Sequence, residues 1–303
     1  MKSYSLVLLA LACVAAMDAQ TLNYSYDQAG RLVFVAYPSG KTLAYVYDAS
    51  GNLLRREVRA PVAGPTPVAS AAGIENAASA VVGPVSPGEI IAIYGSGIGT
   101  PALTGYTLTA ANFFDTLTGD TTVLFDGVAA PLIYSSGGQT AAVVPYSVSG
   151  QTTTQMVIVY QGRRSAPVTV PVAPSAPGLF SVNSSGTGNG SILNADGSFN
   201  GPGNPAARGS EIVLYGTGEG QTSPPGVDGK IPPGAGPAPV LPVSVTIGGQ
   251  AAVIKYAAGA PTLVAGMFQV NVIVPQNSGT GAVPVVLTVG AASSQTGLTV
   301  SLK

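Results

Sequence analysis

Carboxylates are the only conventional acid and base groups in this chain. It has no His, and its single Cys is Cys13, so the commonest general base, most zinc ligands and any intramolecular disulfide are missing. Hydrolysis of a glycosidic bond needs just two carboxyl groups placed across it. Asp115, Asp120 and Asp126 lie close together, and Glu89 and Glu211 stand at equivalent strand starts. Asp115 and Asp120 flank the turn residues Thr118-Gly119, so capping of a solvated loop accounts for them, with room for a weak calcium site but no EF-hand or nonapeptide pattern. Asn194-Ala195-Asp196-Gly197 and Asp228-Gly229 are read as turns. Gly95-x-Gly97-x-Gly99 follows a strand-like run, but Thr100-Pro101 comes next, where a dinucleotide loop needs a helix N-terminus. Its return as Gly216-x-Gly218-x-Gly220 marks a shared structural turn. Ser96 has Tyr94 where a nucleophile elbow needs Gly, and there is no His to activate it, so a serine hydrolase is excluded. No catalytic, cofactor-binding or metal-ligating residue is assigned, and the chain is read as a non-enzyme.

The elements around these residues are β-type. Among 303 residues, Gly 40 and Pro 25 are high, while a hydrophobic content of 46% is enough to build packed cores. Twelve Lys and Arg against 13 Asp and Glu leave a net charge of -1, with no basic face for nucleic acid. Short alternating runs such as Val243 to Ile247 and Phe268 to Val272 recur between Gly and Pro punctuation, and no amphipathic helix of three turns is visible. The length allows two or three domains.

Residues 1–19 read as a secretory signal peptide, with Lys2 ahead of an apolar stretch from Leu6 to Ala16 and a small residue at Ala19. That stretch is well short of the roughly 20 residues of a membrane-spanning helix. Ala10-Leu11-Ala12-Cys13 loosely matches a lipoprotein box, so anchoring through Cys13 is the lesser alternative to free secretion or display at the cell surface.

In residues 20–59, Tyr24-Ser25-Tyr26-Asp27-Gln28-Ala29-Gly30-Arg31-Leu32 is echoed by Tyr45-Val46-Tyr47-Asp48-Ala49-Ser50-Gly51-Asn52-Leu53. Each unit reads as strand, tight turn, strand. The pattern resembles the YD repeat of the Rhs and teneurin families over residues 22 to about 59. Those families need many repeats in series to close a shell, and this chain has two. The resemblance implies extracellular surface work with carbohydrate contact, for which Tyr24, Tyr26, Tyr37, Tyr45 and Tyr47 are the candidate stacking faces. The alternative is that these tyrosines pack a small sheet against its neighbour. Arg55, Arg56 and Arg59 read as a solvated strand end.

Residues 60–72 read as a Pro-rich linker. Beyond it, Gly88 to Gly99 corresponds to Gly209 to Gly220, Phe125 to Tyr134 to Ile247 to Tyr256, and Val168-Thr169-Val170 to Leu298-Thr299-Val300, in preserved order. Two homologous modules, 73–180 and 181–303, therefore stand in tandem, each expected as a β-sandwich without the Cys pair and Trp of antibody domains. The run Gly73 to Ser79, with Ser86-Pro87-Gly88-Glu89-Ile90 and Tyr94-Gly95-Ser96-Gly97, resembles the IPT/TIG-like immunoglobulin-fold modules of exported bacterial proteins. The second module is similar to the uncharacterised Solibacter-type C-terminal domain. Both resemblances imply non-catalytic extracellular modules. Residues 221–242, rich in Pro and Gly, are expected as a long loop that either binds or fills.

The expectation is thus an all-β chain: a small YD-repeat hairpin sheet, then two immunoglobulin-like sandwiches. Its function would be adhesion, glycan contact or envelope scaffolding, with an extracellular polysaccharide or another surface protein as partner. Two alternatives stand beside it, a carboxylate-dependent polysaccharide hydrolase and the remnant of a larger Rhs-like exported protein.

Overall fold

A computed structural model describes residues 22–26, 30–47, 52–60 and 64–303. The expected signal peptide, Cys13 and the turn residues Asp27, Asp48 and Gly51 lie outside the described residues. The chain is all-β, and among the described residues its one helical element is the 3-10 turn Tyr146–Val148. No helix among them is long and apolar enough to cross a membrane.

The N-terminal repeat forms a four-stranded antiparallel meander, β1 (Asn23–Tyr26), β2 (Leu32–Ala36), β3 (Thr42–Tyr47) and β4 (Leu53–Arg59), in sequential order. Gly40, at φ 78°, turns β2 into β3 in a conformation that side chains resist.

The first sandwich contains β5 (Val68–Asn76), β6 (Ile90–Ser96), β7 (Thr104–Gly105), β8 (Thr121–Phe125), β9 (Val128–Ala129), β10 (Leu132–Ser135), β11 (Gln139–Val143), β12 (Thr153–Tyr160), β13 (Arg163–Arg164) and β14 (Val168–Pro171). One sheet runs β5-β6-β11-β10-β7; the other runs β13-β12-β8-β9, with β14 also on β12. β5 begins at Val68, inside the segment read as linker. Ile91, Ile93, Val123, Phe125, Leu132, Met156 and Ile158 fill the space between the sheets.

Both sheets of this sandwich are also buried on part of their outer faces, and their sequences show it. Met156-Val157-Ile158-Val159 is an unbroken apolar run, the signature of a strand covered on two sides. Met156 and Ile158 point into the core, while Val157, Val159 and Leu124 pack against Phe34, Ala36 and Ala44 of the meander. The meander is thus a third layer. On the opposite side, Ile90 and Val143 of the β6 sheet meet Val264 of the second sandwich.

The second sandwich packs the sheet carrying Glu211–Thr217, Phe268–Ile273 and Val253–Gly259 onto the one carrying Val243–Ile247, Gly281–Val289 and Leu298–Leu302. Phe268–Ile273 alternates buried and half-buried residues, so one face of its sheet stays open.

Candidate functional site

The outer face of the β6 sheet is only partly covered, and its uncovered part is aromatic. Across the strands, Glu75, Ala92, Ala141, Tyr134 and Gly105 form one continuous row. Tyr94, two residues beyond Ala92 and therefore on the same face, sits opposite Gln139. Tyr94 is 44% exposed. Burial holds the Tyr134 phenol above its ordinary pKa, and the nearby Tyr94 phenol adds to the effect. Ala92, Ala141 and Gly105 raise no long side chain between the rings. Tyr106, next after Gly105, is exposed and stacks on Phe114 with centroids 4.2 Å apart.

The second sandwich repeats the arrangement. Tyr215 sits opposite Gln269, and Tyr256 opposite Asn271. The Gln269 amide donates to Asn271 Oδ1 at 2.9 Å, and Asn271 Nδ2 donates to Glu211 at 2.8 Å, giving a polar strip flanked by two half-buried rings. Burial raises the Tyr256 phenol, whose hydroxyl donates to the Gly259 carbonyl at 2.8 Å. Sequence reasoning passed over these four tyrosines. The signal was present, because the internal repeat aligns Tyr94 with Tyr215 and Tyr134 with Tyr256.

The tyrosines singled out from the sequence do not converge on one place. Tyr24 and Tyr26 lie on the edge strand β1 and are 50% and 46% exposed. Tyr45 is half-buried opposite Arg56. Tyr47 pairs with Leu53, and its side chain lies outside the described residues. Tyr37 lines a cleft of about 340 Å³ between the meander and the β12–β13 hairpin, together with Asn23, Thr66, Arg163 and Arg164. Among the described residues that lining contains no carboxylate.

The two carboxyl groups that come together are Glu89 and Glu219, one from each sandwich. Both are 1% exposed. Glu89 accepts from Asn76 Nδ2 at 2.9 Å, the Ser86 amide at 2.7 Å and the Ser86 hydroxyl at 3.2 Å. Asn76 also donates to the Ala176 carbonyl, in the segment that connects the two sandwiches, at 2.9 Å. Glu219 Oε2 is buried without a hydrogen-bond partner. Desolvation lifts each carboxyl to about 8, and for Glu89 the charge of Glu219 adds to the rise. Burial, with Glu219 and Asp228 nearby, holds the Tyr146 phenol well above its ordinary range. A raised carboxyl is what a general acid needs, but both groups are enclosed and leave no space for a scissile bond. Glu89 and Glu211 do stand at equivalent strand starts but do not meet: Glu211 accepts from Asn271 Nδ2 at an open sheet face, and the carboxyl near Glu89 is Glu219 of the glycine turn.

The remaining sequence candidates have structural roles. Asp115 caps the Leu117 amide at 3.2 Å, and Asp126 ties its hairpin to β12 through the Thr154 hydroxyl at 2.6 Å and the Gln155 amide at 2.9 Å. Asp196 accepts from the Ser198 amide at 3.0 Å within its turn. Among the described residues no three Cys, Asp or Glu side chains group as a metal site. Gly218 confirms the glycine turn as a close approach, since a Cβ there would lie 2.0 Å from the Ala176 carbonyl oxygen. The 221–242 segment, expected as a long loop that either binds or fills, straps the sandwiches together. Asp228 accepts from the Tyr146 amide at 2.9 Å, and the Gly229 carbonyl accepts from Phe114 at 2.8 Å.

No family model matches the chain, and no curated protein matches it. Among solved structures it is similar to SGBP-B from a complex xyloglucan utilization locus in Bacteroides uniformis, at 10% identity and TM-score 0.24, over 77% of this chain and 49% of that one. It is also similar to SGBP-B of a Bacteroides ovatus mixed-linkage glucan utilization locus, in complex with a mixed-linkage heptasaccharide, at 13% identity and TM-score 0.32, over 94% of this chain and 60% of that one. The chain therefore spans less than two thirds of the length of either protein.

Proposed function

We propose that the chain is a non-catalytic, extracellular or surface-displayed glycan-binding protein whose contact surfaces are the paired tyrosine and amide strips of its two sandwiches. The observation that carries this reading is the recurrence of one constellation, Tyr94 opposite Gln139 and Tyr215 opposite Gln269, on the outer face of equivalent sheets. A pyranose ring offers an apolar face and an edge of hydroxyl groups. A tyrosine ring takes the first, and a neighbouring carboxamide, with donors and an acceptor, takes the second. A disulfide-free β framework holds such groups rigid, which limits the entropy lost on binding. Export, read from residues 1–19, would put these strips in contact with polysaccharide.

Against hydrolysis stand the enclosure of the Glu89 and Glu219 carboxyl groups and, among the described residues, the lack of a carboxylate in the lining of the Tyr37 cleft. The test is titration of the full chain with neutral β-glucans, alongside an assay for released reducing sugar. Binding without turnover is the expected result.

A further inference from the structure

The cleft between the meander and the first sandwich presents two guanidinium groups. Arg164 Nη1 is buried with no hydrogen-bond partner. A buried polar nitrogen left unmatched costs free energy, and native structures leave few of them. Arg163, beside it, lies over the Tyr160 ring with 5.5 Å between its guanidinium carbon and the ring centroid, and its Nη2 donates to Gln161 at 3.2 Å. Its guanidinium is thereby fixed in place. Burial pulls the Arg164 pKa below its ordinary value.

We propose that this cleft is a carboxylate-binding subsite, in which Arg164, supported by Arg163, receives the carboxylate of an acidic sugar such as a uronate. The forked donors of a guanidinium match the two oxygens of a carboxylate, and burial strengthens that pairing relative to water. The rest of the lining fits a sugar better than a peptide. Tyr37 supplies a ring, Asn23 an amide and Thr66 a hydroxyl, and the 340 Å³ volume is at the small end of ligand sites. The meander contributes Asn23 and Tyr37 to the cleft, and the first sandwich contributes the arginines. This proposal rests on the glycan-binding reading above and specifies one of its ligands.

The experiment compares binding of oligogalacturonate, its methyl ester, a neutral β-glucan and an acidic peptide to the full chain, by calorimetry at low and high salt. The acid should bind at least about tenfold tighter than its ester, as expected for a charge-assisted pair, and the advantage should shrink at high salt. Arg164→Met should abolish the preference for the acid and leave neutral-glucan binding unchanged. Arg164→Lys, which keeps the charge and loses the fork, should retain part of the preference and covers the case in which Arg164→Met fails to fold. Equal binding of acid and ester, or an acid preference indifferent to both variants, overturns the carboxylate subsite while glucan binding keeps the broader reading intact. Preference for the acidic peptide over the sugar acid overturns the sugar assignment. No binding to any glycan overturns both.

Discussion

The backbone amide of Ile90, in the first sandwich, donates to the Thr217 hydroxyl of the second at 2.8 Å, and that hydroxyl donates onward to the Gly266 carbonyl at 2.7 Å. Both sandwiches therefore satisfy their buried backbone groups through one shared side chain. Thr217 is wholly buried, so water cannot replace it. Thr217→Val keeps the shape and removes the hydroxyl, leaving one donor and one acceptor unmatched. It should cost about 1–3 kcal/mol, read as a lower midpoint of thermal unfolding.

The Glu89 and Glu219 pair makes stability depend on pH in a defined direction. Each carboxyl is lifted to about 8 in the folded chain, whereas an unfolded Glu titrates near ~4.3. Between these values the folded state holds protons that the unfolded state has released, so stability falls as pH rises through that window. It is greatest below the unfolded pKa and levels off above about 8. The melting midpoint, followed from pH 4 to pH 9, should decline across this range. Glu219→Gln should flatten the decline and raise the midpoint at pH 9 relative to the wild type. An unchanged profile in the variant would remove Glu219 as its cause.

The meander should depend on its seat. Leu124 and Val157 give their side chains to the cluster shared with Phe34, Ala36 and Ala44, and not to the core of the sandwich. Val157→Asp would bury an unpaired charge beneath the meander. Amide exchange should then speed up across β1 to β4 while Ile91, Ile93 and Ile158 in the sandwich core remain protected. Loss of protection throughout would show that the meander is integral to the sandwich fold.

Gly218→Ala tests the glycine turn, because the new Cβ would lie 2.0 Å from the Ala176 carbonyl oxygen and the backbone at φ 85° disfavours any side chain. Strain of this kind costs about 1–3 kcal/mol. Gly203→Ala, where nothing lies within 4 Å, is the control expected to leave the midpoint near that of the wild type.

Much of the architecture was legible because its causes are local. Alternating runs and Gly and Pro punctuation mark the strands, and the repeat of Gly88 to Gly99 at Gly209 to Gly220 marks the tandem sandwiches. The third layer was legible in principle: Met156 to Val159 has no polar position to turn toward water, so something had to cover its outer side. What could not be read is what brings distant segments together. Glu219 in a glycine turn carries no sign that it will meet Glu89. The Pro-rich 221–242 segment reads as a long loop, and nothing in it tells that Asp228 and Gly229 will bind Tyr146 and Phe114. Tyr94 and Tyr134 were hidden for a different reason, since tyrosine is an ordinary residue of strands and only cross-strand register shows which rings share a face.

The most direct test of glycan recognition through these strips is the affinity of the full chain and of a Tyr94→Ala, Tyr215→Ala double variant for neutral β-glucans. Each ring contact is worth about 0.5–1.5 kcal/mol, so affinity should fall by roughly fivefold to a hundredfold in the double variant while the unfolding midpoint stays close to that of the wild type. Binding that persists at wild-type strength in the double variant, or released sugar in place of binding, would contradict it.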